Sequence, residues 1–135
     1  MSALLTKQII RVASVILLDE RKVLLGLRKN TEAFDGYWAF VGGRVEPGES
    51  LQDALVREAW EEIGIRIDPG GLKEPVVHRE RGKTMERTHF MFEVRHWQGD
   101  PVNREPELCA QVSWFSVDDL PQNMIPFCKE ALKDY

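Results

Sequence analysis

Three glutamates in the segment Leu51–Ile63 could bind a divalent cation. This segment has no glycine or proline, so it is predicted to be a helix, and Glu58, Glu61 and Glu62 would share an arc of about 100° on it. Two carboxylates about 4 Å apart repel by about 4 kcal/mol at an effective dielectric of about 20, and neither Glu58 nor Glu61 has a basic residue four positions later. A solvated acidic face is one interpretation. A hard cation such as Mg²⁺ or Mn²⁺, which prefers oxygen ligands and bridges to phosphates, is the other.

A longer pattern surrounds these acids. Gly43, five residues, Glu49, seven residues and Arg57-Glu58-Ala59-Trp60-Glu61-Glu62-Ile63-Gly64-Ile65 together resemble the Nudix box GX5EX7REUXEEXGU, in which U is a bulky aliphatic residue. Ala59 is smaller than the usual U residue, and Val41 stands where many members have proline before the paired glycines. Every charged position of the box is kept. The chain is therefore identified as a member of the Nudix hydrolase family, whose members hydrolyse a nucleoside diphosphate linked to another group.

The resemblance implies a metal site. Glu58, Glu61 and Glu62 would bind Mg²⁺ or Mn²⁺, assisted by the backbone carbonyl of Gly42 or Gly43. A polyphosphate carries about three to four negative charges, so it can approach three carboxylates only with cations between them, and such cations also acidify water.

The resemblance also implies catalytic positions at Glu49, Arg57, Glu58 and Glu61. Arg57 and Glu49 would form an ion pair that ties the loop to the helix and orients Glu58. A pair that only stabilises the loop is the alternative. The base is left open between Glu58, Glu61 and an acid from a later loop.

That later loop, 98–108, contains two further acids. Glu105 and Glu107 are candidates for an additional metal ligand or base, and Glu107 is favoured because an acidic residue often precedes the corresponding strand in relatives. A plain surface loop is the alternative.

The substrate prediction rests on a second segment. Asn103-Arg104-Glu105-Pro106-Glu107-Leu108-Cys109, followed by Trp114 and Leu120-Pro121, resembles the NxEPEKC…W…LP segment of MutT-like nucleoside triphosphate diphosphatases, with Leu108 in place of lysine. It implies a (d)NTP, or an oxidised one such as 8-oxo-dGTP, as substrate, with NMP and pyrophosphate as products. Arg28 could contact phosphate by charge-assisted hydrogen bonds, Tyr37 and Trp38 could stack on the base, and Asn123 could bind a base edge. Each of these four also has an ordinary structural interpretation.

Two other functions fit parts of the sequence. A sugar-nucleotide hydrolase of the GDP-mannose type is favoured by the segments Leu24–Gly26, Gly36–Trp38 and Gly42–Val45, but that group tends to have a degraded box. A non-catalytic Nudix module that senses a nucleotide usually loses box glutamates, and here all are present.

The elements that must position these residues follow from hydrophobic patterning and turn signals. Ser50 is a candidate N-cap, with Asp53 as its capping-box partner, and Gly64 ends the helix. A mixed β-sheet sandwiched between two helices is expected, which is an α+β or α/β Nudix fold formed as a single domain over residues 1–135. The expected strands are Ile9–Leu18, Lys22–Arg28, Tyr37–Val41, Leu72–Arg79, Arg87–Trp97 and Ala110–Phe115, and the second helix lies near Ile125–Leu132.

Composition limits the partners. Eighteen basic and 22 acidic residues give a formal charge of −4, which argues against duplex nucleic acid or an anionic membrane as the partner. The apolar stretch Ile9–Leu18 is too short and too polar for a membrane span. Two cysteines are too few for a disulfide framework, so reduced thiols and a cytoplasmic location are expected. A small-molecule nucleotide is the expected partner, and relatives suggest a homodimer.

Overall fold

The computed structural model describes residues 7–135 as one mixed seven-stranded sheet with helices on both faces. The elements in chain order are β1 (Gln8–Asp19), β2 (Lys22–Arg28), β3 (Trp38–Ala39), β4 (Val41–Arg44), α1 (Leu51–Ile63), β5 (Val76–Arg81), β6 (Met85–Val94), β7 (Cys109–Ser116) and α2 (Pro126–Ala131), with a single 3-10 turn at Pro69–Gly71. The expected mixed sheet between helices is confirmed.

Strand β1 organises the sheet. It runs parallel to β6 along ten residue pairs, from Gln8 with Met85 to Leu17 with Val94. Its middle pairs antiparallel with β4, and its end forms a hairpin with β2. Strand β2 in turn pairs antiparallel with β3 and β7, and β5 pairs with β6 at the other edge.

Side chains of β1 point alternately to the two faces of the sheet and so belong to two hydrophobic cores. Val15 and Leu17 face α1, whereas Ile16 and Leu18 face α2, and all four are at most 1% exposed. Because successive side chains of a strand point to opposite faces, one apolar strand can serve both layers. This is why Ile9–Leu18 reads as an almost continuous apolar run.

The first helix begins and ends as predicted. The Ser50 hydroxyl accepts a hydrogen bond from the Asp53 amide at 3.0 Å. Gly64 adopts a left-handed conformation with φ of 69°, and its N–H donates to the Trp60 carbonyl at 3.0 Å. Such a cap is accessible to glycine at little cost, so the chain leaves the helix directly after its acidic segment.

Two strand predictions were wrong in their bounds. The expected strand Tyr37–Val41 is divided at Phe40 into β3 and β4, and β4 continues through Gly42, where an added Cβ would overlap the Ala13 carbonyl of the paired strand. The expected strand from Leu72 begins only at Val76. Pro75 directly precedes it and has no N–H to donate to a neighbouring strand.

Trp60 departs from the helical wheel of Leu51–Ile63. The wheel places it with the core-facing residues, but its side chain is 41% exposed. The guanidinium groups of Arg66 and Arg104 lie 4.4 and 4.8 Å from its ring centre. These cation–π contacts stabilise the large aromatic ring at the surface without burying it in the sheet interface.

None of the helices within residues 7–135 is long and apolar enough to cross a membrane.

Truncation of Phe92 tests the core beneath α1. Phe92 is 1% exposed, so Phe92→Ala should lower the free energy of unfolding in urea by about 3–5 kcal/mol, because it removes buried contacts and leaves a cavity. Val102→Ala is the control, since Val102 is 53% exposed and the substitution should cost under about 0.5 kcal/mol. Equal losses for the two variants would contradict this packing.

Candidate functional site

A cleft of about 520 Å³ runs along the face of the sheet that carries α2. Its floor includes Val12 and Ser14 of β1 and Arg87 and His89 of β6, and Gly42 and Gly43 also line it. A smaller pocket of about 80 Å³ shares the Arg28, Phe40 and Gly42 lining and reaches the acidic side of α1. The glycine-rich strand β4 therefore lies between the cleft and the acids of α1.

Arg57 is the centre of the acidic face. Its Nε and Nη2 donate to the two carboxylate oxygens of Glu49 at 2.8 and 2.9 Å, which is a bidentate pair. Its Nη1 donates to Glu58 at 2.8 Å and to Glu61 at 3.2 Å, and its Nη2 also reaches the Arg44 carbonyl at 3.0 Å. The predicted Arg57–Glu49 ion pair is confirmed, and it does tie the loop to the helix beside Glu58.

The charges in this cluster are strongly held. Hydrogen bonds from Arg57 and from the Glu46 amide lower the pKa of Glu49 to about 2, so this carboxylate stays ionised at neutral pH. Conversely, the hydrogen bond with Glu49 raises the pKa of the Arg57 guanidinium. A planar guanidinium suits this arrangement because its fork matches a carboxylate in two places.

Gly43 makes room for the Glu58 carboxylate. A Cβ atom at position 43 would overlap the carboxylate carbon and oxygens of Glu58. The Glu58 side chain is only 12% exposed, and burial raises its pKa although Arg57 opposes that shift. A side chain at position 43 would therefore displace the Glu58 carboxylate.

Glu62 is the least satisfied acid in the site. Its Oε2 atom is buried and has no hydrogen-bond partner. Burial raises the pKa of Glu62 to about 9, and repulsion from Glu58 and Glu105 adds to the shift. An unpaired buried carboxylate is costly, so this oxygen is suited to a cationic ligand.

The donor chemistry fits a hard divalent cation. Glu58, Glu61 and Glu62 all offer oxygen ligands on one face of α1. The Oε2 atom of Glu62, which is buried without a partner, would be stabilised by a cation. Within residues 7–135, no three acidic, histidine or cysteine side chains are arranged closely enough to hold a metal ion as they stand. Arg57 occupies Glu58 and Glu61 instead.

In the later loop, Glu105 lines the small pocket, whereas the favoured Glu107 does not. Glu105 lines the small pocket with Glu62, whereas Glu107 is exposed and contributes only its carbonyl, to which Asn30 donates at 3.0 Å. Asn103 sets this arrangement, since its oxygen accepts from the Glu105 amide at 3.0 Å and its Nδ2 donates to the Cys109 carbonyl at 2.7 Å. Glu107 stays a prediction, and the lining of the small pocket favours Glu105 as the additional acid.

Arg104 was missed by the sequence analysis. Its amide donates to the Glu62 carbonyl at 2.9 Å and its guanidinium to the Trp60 carbonyl at 3.1 Å. The first contact satisfies the Glu62 carbonyl at the end of α1, and the second adds to the hydrogen bond that the Trp60 carbonyl accepts from the Gly64 N–H. The loop that carries Glu105 is thereby fixed to the helix that carries Glu62.

Of the four expected substrate-binding residues, only Arg28 lines the cleft. Its guanidinium donates to the Ala33 carbonyl at 3.2 and 3.3 Å. Tyr37 packs on Phe34, and Trp38 meets Phe115 edge to face at 4.7 Å.

Asn123 is likewise used within the fold. It donates from Nδ2 to the Gly36 carbonyl at 2.9 Å. Tyr37, Trp38 and Asn123 thus support the loop before β3 and do not line the cleft.

Further cleft residues come from β5, β6 and α2. Glu80, Arg87, His89 and Phe127 all line the cleft, and the sequence analysis did not identify them as site residues. The signal available in the sequence was the two-residue alternation that puts Glu80 on the face of β5 opposite to that of its neighbours Arg79 and Arg81. It could not be used without knowing which face of the hairpin is open.

Comparisons with known proteins agree with this geometry. The NUDIX domain family model matches residues 8–135. A Bacillus subtilis (strain 168) protein with the provisional name 8-oxo-dGTP diphosphatase is 32% identical over 124 residues, which cover 91% of this chain and 77% of that protein. The oxidized purine nucleoside triphosphate hydrolase of Mus musculus is 31% identical over 107 residues, 79% of this chain and 66% of the mouse protein. The crystal structure of a MutT NUDIX hydrolase from Burkholderia pseudomallei has a TM-score of 0.85 at 25% identity, with 94% of this chain and 98% of that chain covered.

Substitution of Gly43 tests the fit between the loop and α1. Gly43→Ala should displace the Glu58 carboxylate and weaken Mn²⁺ binding, measured by electron paramagnetic resonance, by about tenfold or more. Gly71→Ala is the matched control, because a Cβ there meets no atom within 4 Å. Unchanged Mn²⁺ affinity in a folded Gly43→Ala protein would contradict the proposed role of this face.

Proposed function

This chain belongs to the Nudix family of hydrolases that act on phosphoric anhydride bonds, and from that premise we propose that it cleaves an oxidised purine (d)NTP such as 8-oxo-dGTP to NMP and pyrophosphate. The observation that carries the proposal is the Arg57 cluster, in which one guanidinium holds Glu49, Glu58 and Glu61 beside the buried, unpartnered oxygen of Glu62. The names of the Bacillus and mouse relatives support the choice of substrate.

Glu58, Glu61 and Glu62, with the backbone carbonyl of Gly42 or Gly43, would hold Mg²⁺ or Mn²⁺, which when bound neutralises polyphosphate charge and acidifies water. Arg57 holds the first two carboxylates at fixed positions through hydrogen bonds from its Nη1. Phosphoryl transfer depends mainly on positioning and charge neutralisation, so an ordered set of acids is what this reaction needs from the protein.

We assign the proton-accepting role to Glu61. Its side chain is 47% exposed, against 12% for Glu58, so it is the box carboxylate with the best access to solvent water. Arg57 donates to Glu61 from the same Nη1 that binds Glu58, and this shared donor fixes the two carboxylates relative to each other. Glu105, which faces Glu62 in the small pocket, is the additional acid in this proposal.

Arginines in the cleft supply positive charge for the substrate. Arg28, Arg44 and Arg87 all line it, although the whole chain carries a formal charge of −4. Arginine binds phosphate oxygens through charge-assisted, often bidentate, hydrogen bonds. A local basic lining within an acidic protein favours a small anionic nucleotide over duplex nucleic acid or an anionic membrane.

The compartment and assembly belong to the same proposal. Cys109 and Cys128 are both free thiols, which supports a reducing, cytoplasmic environment. A homodimer is supported by the exposed apolar residues Val76 and Val77 on β5, the edge strand of the sheet. Sedimentation equilibrium measures directly whether the protein is a monomer or a homodimer.

A nucleotide screen with Mg²⁺ and with Mn²⁺ tests the reaction. We expect equal amounts of pyrophosphate and NMP from 8-oxo-dGTP, and no turnover after chelation with EDTA. Glu61→Gln should abolish turnover, a loss of about a hundredfold or more, while the circular dichroism spectrum is unchanged. Release of free sugar from GDP-mannose would favour the sugar-nucleotide reaction, and absence of turnover with every nucleotide would favour a sensing module.

The two loop acids form a matched pair of variants. Glu105→Gln should lower kcat about tenfold or more, because Glu105 shares a pocket with Glu62. Glu107→Gln should leave kcat within about twofold of the native value, since its side chain is exposed and does not line that pocket. The reverse order of effects, measured by pyrophosphate release, would show that the loop is arranged differently around the substrate.

A further inference from the structure

The β5–β6 hairpin presents a row of polar side chains to the cleft. His78 lies directly opposite His89 in the antiparallel register, and Glu80 lies opposite Arg87. Residues two apart on a strand share a face, so these four side chains stand on the same side of the hairpin. Glu80, Arg87 and His89 line the cleft, and the function proposed above gives them no role beyond the charge of Arg87.

Glu80 and His89 form a fixed pair. Glu80 Oε1 and His89 Nε2 are 2.6 Å apart, and the histidine side chain is 13% exposed while that of Glu80 is 37% exposed. Burial lowers the pKa of His89, so its ring is neutral at pH 7 and its Nε2–H donates to the carboxylate. His89 thus anchors the carboxylate through one lone pair of Oε1, so the second lone pair of Oε1 and the whole of Oε2 can still accept hydrogen bonds from a ligand.

Phe127 of α2 adds an aromatic surface beside this pair. Its ring stacks on His78 at 4.5 Å with an angle of 8°, and it contacts His89 at 4.4 Å with an angle of 37°. The two imidazole centres are only 6.2 Å apart, which is too close for them to lie on opposite faces of the phenyl ring. The histidines therefore brace Phe127 from adjacent sides, and Phe127 lines the cleft.

The sheet sets the distance between this cluster and strand β4, whose Gly43 lies against the Glu58 carboxylate of α1. In register across the strands, Arg44 of β4 pairs with Val12, Val12 with His89, and His89 with His78 of β5. Three strand spacings span about 14 Å. An extended nucleotide with its phosphates near Gly43 and the acids of α1 would therefore bring its base to Glu80.

We propose that Glu80, anchored by His89, selects a guanine-type base by accepting hydrogen bonds from its N1–H and 2-amino groups, while Phe127 packs against the base. This inference rests on the proposed nucleotide substrate and specifies which base it carries.

The chemistry of the base edges supports this choice. A carboxylate accepts hydrogen bonds only, and guanine offers two adjacent donors on that edge. Adenine offers its N1 lone pair beside one amino group, and cytosine offers the N3 lone pair in the same way, so each would place a lone pair against the carboxylate. Oxidation at C8 leaves the N1–H and 2-amino edge of guanine unchanged. Glu80 therefore distinguishes the base and is indifferent to its oxidation.

Matched substrate pairs test the inference. The kcat/KM ratios of dGTP to dATP and of 8-oxo-dGTP to 8-oxo-dATP should each favour guanine in the native protein. In Glu80→Gln both ratios should fall about tenfold or more, because the amide group turns a donor toward the guanine donors. Glu86→Gln is the control, since Glu86 lies on the same hairpin, pairs with Arg81 and does not line the cleft. Its ratios should equal the native ones.

Binding of the monophosphates separates this inference from the proposed reaction. Calorimetric titration with dGMP and dAMP should show a native preference for dGMP that Glu80→Gln loses, and Phe127→Leu should weaken both ligands with less effect on their ratio. A native protein that hydrolyses nucleotides but treats guanine and adenine alike, or a folded Glu80→Gln protein that keeps the native preference, would overturn the inference. If no nucleotide is hydrolysed, the proposed function fails, and the dGMP to dAMP ratio still decides the role of Glu80.

Discussion

One guanidinium group holds the site together. Arg57 donates hydrogen bonds to both carboxylate oxygens of Glu49 in the loop and to the Arg44 carbonyl at the end of β4. It also donates to one oxygen each of Glu58 and Glu61 on its own helix. A single planar cation thereby fixes the loop, the strand and the helix to one another. Lysine could not reproduce this, because its ammonium lacks the fork that makes two parallel bonds to a carboxylate.

The same arrangement leaves the Glu62 carboxyl group without enough hydrogen-bond partners. Arg57 serves three carboxylates, but Glu62 lies deeper, has an oxygen without a partner and is repelled by Glu58 and Glu105. The loop after β6 is fixed to the end of the helix, so these acids cannot easily separate. A fold that holds acids together in this way costs stability unless a cation joins them. The site that is poorly satisfied by the protein alone is thus the one suited to a metal and a polyphosphate.

The sequence predicted what depends on local spacing and missed what depends on packing. Helix α1, its caps and the Arg57–Glu49 pair follow from residues within one short segment, so they could be foreseen. Trp60 could not, because its exposed position depends on Arg104 from a distant loop. The sequence also could not show which loop acid lines the small pocket, since the turn that Asn103 organises places Glu105 there. The cleft residues of the β5–β6 hairpin required the open face to be known.

Anomalous scattering from crystals of the protein soaked in Mn²⁺ tests the central claim most directly. A manganese peak bound by carboxylate oxygens of Glu58, Glu61 and Glu62, with Arg57 still paired to both oxygens of Glu49, is the predicted result. A map with manganese elsewhere, or with none while the three carboxylates keep their arrangement, would contradict the claim that Arg57 organises these acids for a metal ion.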